Sequence, residues 1–244
     1  MVLHFVLDEP TGAGPGDTVV LTGAEAHHAA SVRRVRVGEE VTVGDGRGAW
    51  LTGRCASVAP REVVVRIESR TDAAAPRPRV VLVQALAKGD RDELAVQAAT
   101  ELGIDEIVPW QASRSVSRWD AAKAEKGRAR WATIVREAAK QAHRAWIPEV
   151  SPLVTTRELL RRAAASRTLV LEPTGTARLT GVDLAGEESD VLLVVGPEGG
   201  IAPDELADLE TSGAVLVRLG ESVLRTSTAG PAALAVVSAS LGRW

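Results

Sequence analysis

Leu224-Arg225-Thr226-Ser227-Thr228-Ala229 places one guanidinium and three hydroxyls just ahead of an apolar run that ends the sequence. A guanidinium in apolar surroundings needs an anionic partner. That partner is either a carboxylate of the protein or an oxyanion that develops on a substrate. Thr228 or Ser227, taken singly, would serve as the N-cap of a following helix. Upstream lies a second candidate, Gly196-Pro197-Glu198-Gly199-Gly200, directly after Val191–Val195. It lacks the Lys-Ser/Thr of a P-loop and the spacing of a dinucleotide fingerprint. Glu198 would repel a pyrophosphate, while the glycines allow positive φ and close backbone approach. A ligand with an adenine, a ribose and a charged end but no phosphate fits such a loop, and S-adenosylmethionine has those features. Taken alone, the GPEGG stretch is equally compatible with a plain strand–helix turn. Glu198 is a candidate general base if burial raises its pKa. Its alternatives are to cap the amides of its own loop or to pair with Arg225.

Both segments need strands to carry them. Val191–Val195, Val215–Leu219, Ile107–Trp110 and Leu169–Leu171 read as strands, as does Val80–Leu86. Val80–Leu86 is a near-continuous apolar run, as in a parallel strand buried on both faces. Helices are expected over Arg91–Leu102, with Leu94, Ala98 and Leu102 on one stripe and Gly103 as its stop. Others are expected over Ala121–Arg144, Arg157–Ala165, from Pro203 onward, and over Ala232–Leu241. Alternating strands and helices predict an α/β domain with a mostly parallel sheet. Its ligands would bind beyond the carboxyl ends of the strands. Residues 1–72 read differently. Strand-like pieces His4–Leu7, Thr18–Leu21, Glu40–Val43, Trp50–Ser57 and Val63–Glu68 surround a short helix over Ala24–Val32. A hairpin turn at Gly44–Gly48 joins two of them, and the whole suggests a small β-barrel. Residues 73–79 form a Pro-rich linker, so 80–244 is the second domain.

Composition excludes several classes. Hydrophobic residues make up 45% and charged residues 25% of 244, as in ordinary globular proteins. The sequence has no apolar run of membrane-spanning length and no signal-peptide pattern at its start. Cys55 has no second cysteine to pair with, and His4, His27, His28 and His143 show no metal-ligand spacing. No metal is expected, and a reducing cytoplasm is. The net charge of −3 conceals a basic stretch, with nine basic and three acidic side chains over 113–144. Such a stretch can track phosphates, although a solvated helix face would look the same. Trp131 and Trp146 read as core or interface residues rather than stacking platforms.

The two loop segments together resemble the RsmE family of 16S ribosomal RNA (uracil-N3)-methyltransferases in the SPOUT superfamily. The resemblance extends to Ala26-His27-His28 with Arg33-Arg34-Val35-Arg36-Val37-Gly38, and to Asp45-Gly46. It continues in Ala87-Lys88-Gly89-Asp90-Arg91 with Gln97 and Glu101-Leu102-Gly103. It includes Trp131, Glu137-Ala138, Gln141, Arg144 and Ile147-Pro148-Glu149. It implies an N-terminal PUA-like barrel and a C-terminal trefoil-knotted α/β domain that binds S-adenosylmethionine in the knot. It also implies a homodimer acting on 16S rRNA or the small ribosomal subunit. Carried over by position, the cofactor residues are Leu171, Glu172, Pro173, Gly196, Pro197, Gly199, Gly200, Ile201, Leu219, Gly220, Leu224, Thr226, Thr228 and Ala229. Arg225 and Glu198 become the catalytic pair. Arg33, Arg34 and Arg36 with Lys88, Arg91, Arg114, Arg136 and Arg144 become RNA contacts. The sequence departs from the family at His4, where many members carry Arg, at Lys140-Gln141-Ala142-His143-Arg144, and at Gly230-Pro231. A SPOUT enzyme acting on another RNA and a non-catalytic RNA-binding protein are the competing readings.

Overall fold

The computed structural model describes residues 2–244. Met1, the first residue of the expected N-terminal domain, lies outside them. The chain divides into two compact units. One runs to Ala75 and takes in Ala139–Ile147; the other comprises Pro76–Ala138 and Pro148–Trp244.

The first unit is a five-stranded sheet of β1 (Leu3–Val6), β2 (Thr18–Thr22), β3 (Glu40–Gly44), β4 (Ala49–Ala59) and β5 (Glu62–Asp72). The order is β1-β3-β4-β5-β2. β1 pairs with β3 in parallel and the other pairs are antiparallel. Val19 and Leu21 of β2 point inward, while Thr18, Val20 and Thr22 face out. Period-two alternation of this kind is what one buried sheet face requires. All five strands feed one core, from Phe5 through Leu21, Val43 and Leu51 to Ile67. Helix α1 (Gly23–His27) runs into a π-helical turn, His28–Val32, over the span expected to be helical. The turn after β3 is shaped by Asp45, whose Oδ1 accepts from Arg47 N at 2.8 Å and Ala49 N at 3.2 Å. Such local side-chain bonds favour turns over continued strand.

Ala139–Ile147 joins this unit through main-chain bonds. Gly48 N donates to Ala145 O and Ile147 N to Gly46 O, each at 3.0 Å. The buried Lys140 ammonium meets Glu25 at 2.8 Å. His4 stacks on Trp50 with ring centroids 4.2 Å apart and places Nδ1 2.9 Å from Thr42 Oγ1. Burial, then the neighbouring His143 and Lys140, push its pKa down to about 4. His4 is therefore neutral at physiological pH.

The second unit is a sheet with the path β11 (Ala177–Arg178), β13 (Val215–Arg218), β10 (Arg167–Leu171), β12 (Val191–Val195), β6 (Val80–Ala85), β7 (Glu106–Gln111) and β8 (Glu149–Val150). β9 (Val154–Thr155) also pairs with β7. Every pairing is parallel. Central strands β6 and β12 are buried along their whole length, which explains the unbroken apolar sequence of β12 and, Gln84 apart, the apolar sequence of β6. Val81, Val83, Leu192 and Val194 pack with Leu159 and Ala163 of α4 (Thr156–Ala163) and Leu209 of α5 (Pro203–Thr211). The opposite face carries α2 (Arg91–Glu101) and α6 (Thr226–Ser240). Helix α3 (Ala121–Gln141) holds the basic stretch, with Trp131 buried edge-to-face against Trp119 at 5.4 Å.

Two helix expectations are corrected. The inward face of α2 is Asp92, Ala95, Val96, Ala99 and Thr100, whereas Leu94 is 50% exposed. The stripe is rotated by about one residue because small side chains let the helix lie close to its neighbours. Helix α6 begins at Thr226 rather than Ala232, so Gly230 and Pro231 lie inside it. Thr, Ser, Gly and Pro have weak helix propensity, and tertiary packing overrides it here. A Cβ on Gly230 would sit 2.8 Å from Leu82 Cδ1 and 3.4 Å from Val195 Cγ2. Glycine is what lets α6 seat directly on β6 and β12.

Candidate active site

Three adjacent parallel strands deliver their carboxyl ends to one cavity. β13, β10 and β12 lie side by side, with Leu171 in register with both Val195 and Val217. The segments leaving them, at Glu172, Gly196 and Leu219, emerge at the same sheet edge and enclose a cavity of about 300 Å³. Leu171, Val195, Val217, Leu219 and Leu224 give it apolar walls. Of the positions expected to hold the cofactor, all but Gly199 and Thr228 line this cavity. Ser222 and Val223, within the expected loop Leu219–Ala229, also line it, as does Arg91, which sequence reasoning placed among the RNA contacts instead.

The polar groups of the walls differ in their availability. Gly200 N donates to Pro197 O, and Glu172 N to Val217 O, both at 2.9 Å. Glu172 turns its carboxylate onto Thr174 N and Oγ1 at 3.2 and 3.0 Å. By contrast, among the described residues the main-chain amides and carbonyls of residues 219–224 make no hydrogen bond within the chain. Unpaired main-chain groups around an apolar-walled cavity are suited to the edge of a flat heteroaromatic ring.

Arg225 lines the cavity and is exposed. Among the described residues its guanidinium has no hydrogen-bond or ion-pair partner. It is the N-cap of α6, with extended φ −66° and ψ 151°, and no side chain caps the helix. Its carbonyl accepts from Thr228 N at 2.8 Å and Ala229 N at 2.9 Å. Ser227 and Thr228 therefore lie inside the first turn, and the capping role expected of either falls away. Thr226 Oγ1 instead donates to Gly196 O at 2.9 Å, tying the two bends together.

Glu198 does not pair with Arg225. Its Oε1 accepts from Lys88 N at 2.9 Å and from the Arg91 guanidinium at 2.8 Å. Burial is the largest single influence and pushes the carboxyl pKa up. Its own amide, the Lys88 amide and Arg91 together outweigh burial and hold the pKa below the usual carboxylate range. The condition for a general base, a raised pKa, is not met. Glu198 instead braces the loop that follows β6 against the loop that follows β12.

A further brace was hidden in the sequence. Glu205 looks like a helix-start acid, yet its carboxylate reaches Ser113 N at 3.0 Å, Ser113 Oγ at 2.8 Å and Thr156 Oγ1 at 2.6 Å. That fixes the loop after β7, from which Arg114 donates to Gly199 O at 3.2 Å. Of the cations expected to contact RNA, Arg91 and Arg114 are thus engaged with the glycine loop. The Arg33, Arg34, Arg36 and Lys88 side chains are exposed, and Arg136 and Arg144 are half-buried.

The family model described as an RNA methyltransferase domain matches residues 74–238, and that of an RNA methyltransferase PUA domain matches residues 21–68. Ribosomal RNA small subunit methyltransferase E of Mycobacterium bovis is 44% identical over 94% of this chain and 89% of its own length. The Bacillus subtilis protein of the same name is 32% identical over 91% of this chain and 90% of its own. A solved Neisseria gonorrhoeae ribosomal RNA small subunit methyltransferase E, bound to S-adenosyl methionine, superposes with a TM-score of 0.87 at 29% identity. That match covers 99% of this chain and 98% of the other. With both domain models in order along the sequence and close relatives aligned over nearly its full length, this chain belongs to the ribosomal RNA small subunit methyltransferase E family.

Proposed function

We propose that this protein transfers a methyl group from S-adenosylmethionine to N3 of a uridine in 16S ribosomal RNA. The single observation that carries the reading is the Arg225 guanidinium, without a partner among the described residues, lining a cavity with unpaired main-chain groups. The residues present fit the cofactor. Apolar walls suit an adenine, the 219–224 main chain suits its edge, and no phosphate-binding lysine intrudes. When bound, the cofactor supplies an electrophilic methyl on a sulfonium, a built-in leaving group.

The protein must do the rest. Uridine N3 carries a proton at neutral pH, so the N3–H bond must break as the N3–CH3 bond forms. Negative charge then spreads onto O2 and O4. Arg225 is placed to neutralise that charge, and its lack of a protein partner leaves its donors available for this. Glu198, held as a weak carboxylate base, keeps the loops in place, and the proton leaves to solvent water. The cavity orients the two reactants, which by itself lowers the barrier to a bimolecular step. A base within folded RNA has to be splayed out to reach such a cavity.

Arg33, Arg34, Arg36 and Arg144 in the first unit, and Lys88 with Arg136 in the second, are the RNA-binding cations in this reading. The protein acts as a homodimer in the cytoplasm, and among the described residues no helix is long and apolar enough to cross a membrane. The return of the chain from β13 to seat α6 on α2, β12 and β6 supports reading this crossing as the family's trefoil knot. The test is mass spectrometry of 16S rRNA from cells lacking the protein. One N3-methyluridine is expected to vanish and to return on complementation. An unchanged modification profile would refute the assignment.

A further inference from the structure

We propose that Gln84 is a positioning residue for methyl transfer, acting through Thr226 on both bends of the cofactor cavity; this rests on the methyltransferase reading above. Gln84 lies at the carboxyl end of β6 and is fully buried. It does not line the cavity, and no motif in the sequence draws attention to it. Its Nε2 lies 3.2 Å from Ala85 O and 2.9 Å from Thr226 Oγ1. A carbonyl can only accept, so the group facing Ala85 O must be the NH2 end of the amide. The second N–H is then directed at Thr226. The Thr226 hydroxyl accepts that bond and has a single proton to give, which goes to Gly196 O at 2.9 Å. The direction of both hydrogen bonds is thereby fixed, from Gln84 to Thr226 to Gly196.

The consequences fall on the site. Gly196 opens the bend after β12, and a fixed carbonyl fixes the plane of the Gly196–Pro197 peptide. Thr226 is the first residue of α6 and follows Arg225 directly, so the same hydroxyl sets where the guanidinium leaves the backbone. Gln84 Oε1, meanwhile, is buried without a partner among the described residues. An orphaned buried acceptor is a standing cost to stability. A residue selected for packing alone would be Leu or Met here. Stability given up at one site for geometry at another marks a functional residue.

The test compares purified Gln84→Met, Thr226→Val, Thr226→Ser and the Gln84→Met/Thr226→Val double variant with the parent. Calorimetric titration with S-adenosylmethionine and thermal unfolding are the readouts. Gln84→Met is expected to weaken cofactor binding about tenfold while its Tm stays level or rises. Thr226→Val is expected to weaken binding similarly, and Thr226→Ser to restore what Thr226→Val loses. Because both residues act through one relay, the double variant should be no weaker than the worse single one. Native affinity in Gln84→Met would overturn the proposal, as would an affinity loss that merely follows a falling Tm. Multiplying losses in the double variant would overturn it too. If Gln84→Met does not fold, the Thr226→Val and Thr226→Ser pair decides, and equal affinity in the two refutes the relay. Failure of the parent itself to bind would instead count against the methyltransferase reading.

Discussion

Arg225→Ala is expected to cut methyl-transfer turnover about 100- to 1,000-fold, the range seen when one preorganised donor to a developing oxyanion is removed. S-adenosylmethionine affinity should change by no more than about threefold. The asymmetry follows from what each state needs. Among the described residues the guanidinium has no partner, so its removal leaves no orphaned carboxylate and no collapsed network. Its main-chain role at the start of α6 belongs to the backbone and survives truncation. Only the anion forming on uracil would lose its counter-charge. Single-turnover kinetics on 16S rRNA, alongside calorimetry, separates the two effects. Equal losses in turnover and cofactor affinity would make Arg225 a binding residue, and the mechanism would need another charge.

Gly175→Ala is expected to weaken cofactor binding by at least tenfold although Gly175 does not line the cavity. Gly175 N donates to Glu172 O at 3.0 Å and closes the bend after β10. A Cβ there would sit 2.9 Å from both the carbonyl carbon and oxygen of Leu216 and 3.1 Å from Glu172 O. All three are main-chain atoms, and they cannot swing aside as a side chain would. The bend must lift off β13, and Glu172 and Pro173 move with it. Such overpacking costs about 1–3 kcal/mol, so Tm should fall by several degrees. Gly181→Ala is the matched control, since a Cβ at Gly181 meets nothing within 4 Å and its φ is not positive. Unchanged affinity in Gly175→Ala would mean that the bend after β10 is not a wall of the cofactor site.

Much of this was legible in the sequence where the physics is local. Val80–Leu86 and Val191–Val195 announce doubly buried strands because they are short, nearly continuous in apolar residues and rich in β-branched valine. Leu224–Ala229 and Gly196–Gly200 announce the two bends because their residue types suit few other places. The misses are of another kind. Local sequence does not say that Glu198 takes Arg91 rather than Arg225, because a carboxylate chooses among cations by the distances that the fold creates. Nor does it say that Glu205, besides accepting from Ala202 N at the start of its own helix, reaches across to hold Ser113. The early start of α6 was hidden for the same reason: Thr226–Pro231 is a poor helix by propensity and becomes one because Gly230 fits against Leu82. Ala139–Ile147 joins the first unit through main-chain bonds to Gly46 and Gly48 that leave no trace in residue type.

Photo-crosslinking with methyl-labelled S-adenosylmethionine, followed by peptide mapping, tests the core of the account most directly. The label is expected on peptides spanning 196–201 and 219–229, and excess unlabelled S-adenosylmethionine should compete it away. Competable label confined to other segments would contradict the claim that the ends of β12 and β13 hold the methyl donor beside Arg225.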